Sequence, residues 1–174
     1  MRYSLIVVIL LVLGCQPKHD VPLTFQLNKN WQFKRVTDTV WRSAVVPGNV
    51  FSDLLEHNLI EDPFVSDIEK KVQWVSDTEW EYRTFFSLDK GTLSKKNIDL
   101  FFEGLDTYAE VYLNNNLILE ANNAFREWHI DAKRMLKTKN ELRIRFKPTY
   151  KFERLEKQKL PYILPEGNRI FTRK

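Results

Sequence analysis

Ala109-Glu110-Val111-Tyr112-Leu113-Asn114-Asn115-Asn116-Leu117-Ile118-Leu119-Glu120-Ala121 alternates apolar and polar residues on either side of three consecutive asparagines. A repeat of two is the side-chain period of a strand, and Asn tolerates the positive φ angles that tight hairpin turns require. The stretch therefore predicts two antiparallel strands meeting at the Asn run. Ala109, Val111 and Leu113 share one face, Leu117, Leu119 and Ala121 are expected to continue it, and Glu110 and Glu120 mark the solvent side. Leu142, Ile144 and Phe146 alternate in the same way with Arg143, Arg145 and Lys147, and Pro148 closes that strand.

Working outward, Leu23–Leu27 and Trp31–Val36 also carry period-two alternation, with Asn28-Lys29-Asn30 as the expected loop between two strands. Val45-Val46-Pro47-Gly48 predicts a turn, and Asn49 is placed to cap a helix whose apolar face is Phe51, Leu54, Leu55 and Leu59. Ser66–Trp74 reads as a weaker helical turn or an irregular loop. Trp80–Leu88 returns to β-forming composition, Asp89-Lys90-Gly91 is a turn, and Ile98–Phe102 is a short apolar run. Short strands at regular spacing with one helix predict an all-β, antiparallel β-sandwich, because a parallel fold would place a helix after most strands.

The first residues read as a separate address. Arg2 precedes nine apolar residues, Leu5–Leu13, which are too few to span a bilayer and suit a signal-peptide core. Gly14 then precedes Cys15, the only cysteine, in the manner of a lipobox, so Cys15 is the expected lipidation site. Residues 1–15 form the signal and lipobox, 16–22 a tether, 23–147 the sandwich, and 148–174 a basic C-terminal segment of the same domain. This organisation places the protein in the bacterial periplasm or at the cell surface, touching a membrane only through a lipid anchor. Of 27 Lys and Arg and 23 Asp and Glu, eight and three fall in residues 147–174, net +5, which leaves the remainder at net −1. A basic reading face is thus not expected, and neither is a nucleic-acid partner.

The candidates for chemistry are few. His19, His57 and His129 are too far apart for a metal-binding motif, and five glycines cannot write a phosphate-binding loop, so neither metal nor cofactor is expected. His57 ends the helix, where a cation suits the terminal carbonyls. Glu79 and Glu81 would share one strand face, and Glu153 with Glu156 is a second acidic pair. Exposed carboxylates on a solvated face are the expectation for both, and no residue is assigned a catalytic role. Among the tryptophans, Trp31 and Trp80 fall in phase with core neighbours. Trp74 and Trp128 lie in irregular stretches beside Asp77 and Arg126, an arrangement in which a ring can stack on a sugar while a polar group orients a hydroxyl.

Trp41, Val46-Pro47-Gly48, Leu54-Leu55, Ile60-Glu61-Asp62-Pro63-Phe64, Val72-Gln73-Trp74-Val75 and Trp80-Glu81-Tyr82-Arg83 occur in that order. Phe102-Glu103-Gly104-Leu105-Asp106-Thr107, Val111-Tyr112-Leu113-Asn114, Asn122-Asn123-Ala124-Phe125-Arg126, Asn140-Glu141-Leu142 and Phe171-Thr172-Arg173-Lys174 follow. The series resembles the amino-terminal domain of β-mannosidases in glycoside hydrolase family 2, over about residues 23–174. Gly104–Thr107 and its hairpin carry the likeness most specifically. The resemblance implies a galactose-binding-type jelly roll packed on a catalytic (β/α)₈ barrel that supplies both catalytic glutamates, in cis or on a separate chain. It implies a β-mannoside oligosaccharide as substrate of the intact family, and it adds Asp106 to Trp74, Arg126 and Trp128 as candidate sugar-binding residues. The family's hairpin usually holds Asn-Gly where this chain has Asn114-Asn115. A Trp-Asp-Trp-Gly-Pro run follows the family's Arg-Lys, and this sequence ends at Lys174. The expectation is therefore a domain lacking that run and its closing strand, inactive alone and marginal in stability. The alternative is a free-standing carbohydrate-binding surface lipoprotein.

Overall fold

The computed structural model describes residues 22–65 and 67–162. The expected signal, lipobox and Cys15, the tether up to residue 21, Ser66 and Phe171–Lys174 lie outside the described residues. Among the described residues, eight strands and four short α-helices follow in the order β1 (Trp31–Arg35), β2 (Arg42–Ala44), α1 (Val50–Glu56), α2 (Ile68–Lys71), β3 (Trp80–Ser87), α3 (Lys90–Leu93), β4 (Asp99–Phe102), β5 (Ala109–Leu113), β6 (Asn116–Ala121), β7 (Trp128–Asp131), β8 (Lys139–Phe146) and α4 (Thr149–Gln158). A 3₁₀ turn, Gln73–Val75, follows α2.

Six strands form one antiparallel sheet in the order β2-β1-β3-β8-β5-β6, and β4 pairs with β7 in a second, two-stranded layer. The inward residues of the large sheet are the alternating set read from the sequence. Trp31 and Phe33, Trp80 and Tyr82, Leu142 and Ile144, and Val111 with Leu119 form a single buried cluster. Leu100, Phe102, Trp128 and Ile130 of the smaller layer pack against that cluster from the other side, which makes the sandwich. Leu54 of α1, Ile68, Val72 and Val75 close the core. Asn49 caps α1 as expected, its side-chain oxygen accepting from Ser52 N at 3.0 Å. Gly48 admits no side chain, because a Cβ there would collide with the Val45 carbonyl oxygen.

Four expectations are corrected. Leu23–Leu27 is not a strand; Leu23 and Phe25 are exposed, and the segment is tied to the sheet by Trp31 Nε1 donating to Leu27 O at 2.6 Å. Asn28–Asn30 therefore joins no strand pair, although Asn30 does take a positive φ of 59°. Leu117 does not share the face of Leu119. Val111 pairs with Leu119 but Tyr112 with Leu117, so Ile118 is an extra residue, and this bulge turns Leu117 outward to 50% exposure. The expectation of one helix undercounts: Asp89-Lys90-Gly91 opens α3, Ser66–Trp74 contains α2, and the basic segment from Pro148 contains α4. Trp128 lies not in an irregular stretch but in β7.

Candidate functional site

The pairing register lines up Arg35, Trp80, Phe146, Ala109 and Ala121 across five strands. The segments leaving that row, from 36, before 80, before 109, after 121 and after 146, emerge at one end of the sandwich. This is where a period-two sheet delivers its loops; Trp74, Asp106 and Arg126 lie on them, and Trp128 opens β7 directly after one of them. Gly104 and Ala124 bring two of these loops together, since a Cβ on Gly104 would stand 3.1 Å from the Ala124 carbonyl oxygen. Leu105 is buried as an anchor, while Asp106 is exposed and accepts a hydrogen bond from Thr107 Oγ1. On the neighbouring loop the Arg126 guanidinium lies 4.4 Å from the centre of the Trp128 ring. Tyr108 joins α4 to this end by stacking on Phe152 at 3.9 Å.

Trp74 belongs to a different part of that end. Its ring lies under the Arg35 guanidinium at 4.0 Å and 6.1 Å from Trp80. The structure thus groups Arg126 with Trp128, sets the Asp106 loop beside them, and places Trp74 on the β1–β3 side. Both candidate stacking rings carry a guanidinium on one face, a cation–π arrangement that orders the ring. Arg35 escaped notice in the sequence because its partner Trp74 is 39 positions away. The one signal was a strand-ending Arg in phase with the buried Trp31 and Phe33 of β1, a charge where the alternation calls for an apolar residue.

Trp128 Nε1 is buried and has no hydrogen-bond partner among the described residues. A buried unpaired donor costs about 1–3 kcal/mol. Trp128→Phe keeps the apolar ring and removes the donor, so its melting temperature is expected to match or exceed that of the parent, whereas Trp128→Ala melts lower. A Phe variant less stable than Ala would refute this account.

The tempting acidic pair is engaged elsewhere. Glu79, just before β3, and Glu81 within it lie on one outer face, but they are not open to solvent as expected. Glu81 is 9% exposed and sits between Lys34 at 3.2 Å and Arg143 at 2.7 Å, while Glu79 is bound by Arg145 at 2.5 Å. Cross-strand Arg and Lys hold both carboxylates, and neither faces a cleft with a partner acid. Glu156 pairs with Lys159 at 2.6 Å. His57 caps α1, and its Nε2 lies 2.8 Å from Ser43 O. Among the described residues no cluster of three or more metal-ligating side chains is found.

On the same outer face, burial of the Glu110 carboxyl pushes its pKa up. Hydrogen bonds from Lys147 and from Tyr112 Oη at 2.8 Å outweigh this and hold it below the usual carboxylate range. A carboxyl depressed in the folded state stabilises fully above its unfolded value of about 4.3 and loses that contribution as pH falls through the folded value. Acid titration is expected to leave the melting temperature flat down to about pH 5 and to lower it below about pH 4. Lys147→Met should flatten that acid limb; an unchanged limb would exclude the pair as its source.

Comparison with known proteins places this sandwich. Residues 31–174 match the family described as "Glycosyl hydrolase 2 galactose-binding domain-like". Beta-mannosidase B of Thermothelomyces thermophilus is 38% identical over 128 residues, covering 71% of this chain and 15% of its own length. The Rattus norvegicus beta-mannosidase is 30% identical over 74% of this chain and 15% of its own. The crystal structure of a β-D-mannosidase from Dictyoglomus thermophilum superposes with a TM-score of 0.79 and 41% identity, covering 83% of this chain and 18% of that one. The chain thus spans under a fifth of the length of these relatives. On a match that covers the whole of the sandwich, the chain belongs to the galactose-binding domain-like family of glycosyl hydrolase 2.

Proposed function

We propose that this domain serves an exported glycosidase acting on β-mannosides, as a rigid sandwich beside a catalytic barrel carried in cis or on a separate chain. The 41% identity and TM-score of 0.79 with a β-D-mannosidase over 83% of the chain carry this reading. Retaining hydrolysis needs two carboxyl groups about 5–5.5 Å apart, one as nucleophile and one as acid and then base. Glu79 and Glu81 are each neutralised by a cross-strand cation, so the reactive pair is assigned to the barrel. The domain's part is to present its loop-bearing end, with Asp106, Arg126 and Trp128, to the glycan. Arg2, Leu5–Leu13 and Gly14-Cys15 support export and a lipid anchor on Cys15.

The test is hydrolysis of aryl β-mannoside, β-glucoside and β-galactoside by this domain joined to its barrel. Preference for the mannoside is expected, and preference for either other sugar would overturn the reading. Turnover of the mannoside by this chain alone would overturn the division of labour.

A further inference from the structure

A concavity of about 320 Å³ opens between the segment after β1 and the segment before β3, lined by Arg35, Val36, Thr37, Asp77, Thr78 and Glu79. Its volume is at the lower end of the range of small-molecule sites, about 300–1,000 Å³. Its walls are fixed by short bonds. Val36 N donates to Glu79 O at 3.0 Å, Asp38 N to Arg35 O at 3.0 Å, and Thr78 Oγ1 to Trp74 O at 2.7 Å. Lys34 Nζ ties the same turn, donating to Asp38 O at 2.9 Å.

What distinguishes the concavity is unused hydrogen-bonding capacity. The guanidiniums on the outer face of the sheet are committed: Arg83 to Gln32 at 3.0 Å, Arg143 to Glu81 at 2.7 Å and Arg145 to Glu79 at 2.5 Å. The Arg35 guanidinium, in phase with the core face of β1, has no hydrogen bond or ion pair among the described residues. It is held by stacking on Trp74 at 4.0 Å and by Trp80 at 5.9 Å. A guanidinium held over a ring by a cation–π contact is ordered while its N–H donors stay available for hydrogen bonding. Across the opening, the Asp77 carboxylate and the Thr37 hydroxyl likewise have no partner among the described residues.

The mixture of signs selects the ligand. Glu79 is already paired with Arg145, so an anion meets Asp77 and a cation meets Arg35, and neither has a net attraction. A neutral group that both donates and accepts satisfies both walls, and adjacent hydroxyls of a pyranose ring do so, one accepting from Arg35 and the next donating to Asp77. We propose that this cleft is a saccharide-binding subsite in which Arg35 and Asp77 hold neighbouring hydroxyls of one ring of a glycan. The choice of a β-mannoside as that glycan rests on the function proposed above, whereas the subsite itself does not.

The chain is to be titrated with β-1,4-mannobiose, with cellobiose and with sodium sulfate, following backbone amides and tryptophan indoles by ¹H–¹⁵N correlation spectra. Mannobiose is expected to move the amides of Thr37, Asp77 and Thr78 and the indole of Trp74, with a dissociation constant on the order of 1 mM. Asp77→Asn and Arg35→Gln are each expected to weaken binding about tenfold or more. Asp77 is exposed and only its backbone N–H, which donates to Trp74 O, is engaged, so its side-chain variant should keep the parent melting temperature even where Arg35→Gln loosens Trp74. A response to cellobiose alone would support the subsite and overturn the mannoside assignment. No response to either disaccharide, shifts centred on Arg126 and Trp128 instead, or shifts with sulfate alone would overturn the subsite.

Discussion

Asp53→Ala is expected to lower the stability of the domain by about 3–5 kcal/mol, a large share of the about 5–15 kcal/mol typical of a folded domain. Asp53 lies in the first turn of α1 and is 3% exposed. One carboxylate oxygen accepts from Val45 N at 2.9 Å and the other from Tyr82 Oη at 2.7 Å. The side chain thus fastens the turn before α1 and the middle of β3 to a single helix. Burial, together with the bond to the Asp53 carboxylate and its charge, pushes the Tyr82 hydroxyl pKa far up, so the phenol remains a donor. Removing the carboxylate strands the buried Tyr82 hydroxyl and the part-buried Val45 N–H, and a stranded buried donor costs about 1–3 kcal/mol. It also removes an acid that favours the helix N-terminus. Tyr82→Phe takes away one donor and leaves Val45 N paired, so it should cost about 1–2 kcal/mol. The double variant should then cost less than the two single losses added, because each removes the same contact. Urea unfolding of the four proteins measures this; additive losses, or an Ala cost under about 1 kcal/mol, would refute the account.

The parts of the fold that were legible in the sequence are those in which pattern and partner agree. The hairpin from Ala109, the strand ending at Phe146 and the strand from Trp80 lie side by side in the large sheet, and each buries the face its alternation marks. Leu23–Leu27 carries the same alternation but pairs with nothing among the described residues, and alternation without a ladder leaves apolar residues exposed. Leu117 was placed on the wrong face because a bulge shifts the phase by one residue and leaves no trace in composition. β7, with only Trp128-His129-Ile130-Asp131, is too short to announce a period, and it exists because Phe102 and Leu100 supply its partners. α4 is amphipathic, with Phe152 stacked on Tyr108, but its apolar residues are few among Lys, Glu and Gln and none is fully buried, so its helical pattern was lost in a segment read by its charge. The site was legible only as separate pieces. Trp128 stood out together with its neighbour Arg126, but the Arg35 partner of Trp74, and the common sheet end that gathers these segments, depend on a strand order in which β8 lies between β3 and β5.

The hairpin itself yields the second large effect. Asn114 and Asn115 have φ of 51° and 67° and form a two-residue turn closed by Leu113 opposite Asn116, the geometry that favours Asn-Gly. Backbone preference alone would make the two positions equivalent, yet their side chains differ. Asn114 Nδ2 donates to Met135 O at 2.9 Å and to Asn140 Oδ1 at 3.0 Å, and its Oδ1 accepts from Glu141 N at 3.1 Å. Asn140 is 3% exposed and in turn accepts from Lys137 N at 2.8 Å and donates to Lys137 O at 2.6 Å. The first asparagine therefore locks the hairpin tip to the start of β8, while the second is exposed. Asn115→Gly is expected to be neutral or to stabilise by up to about 1 kcal/mol, since Gly adopts positive φ without strain. Asn114→Gly keeps the turn but loses the junction, at about 2–3 kcal/mol. Asn114→Ala adds about 1–2 kcal/mol for a Cβ in the left-handed region. Thermal melts should rank Asn115→Gly at or above the parent, then Asn114→Gly, then Asn114→Ala. If Asn114→Gly melted with the parent, the turn conformation alone would account for the asparagine and the junction to β8 would carry no stability.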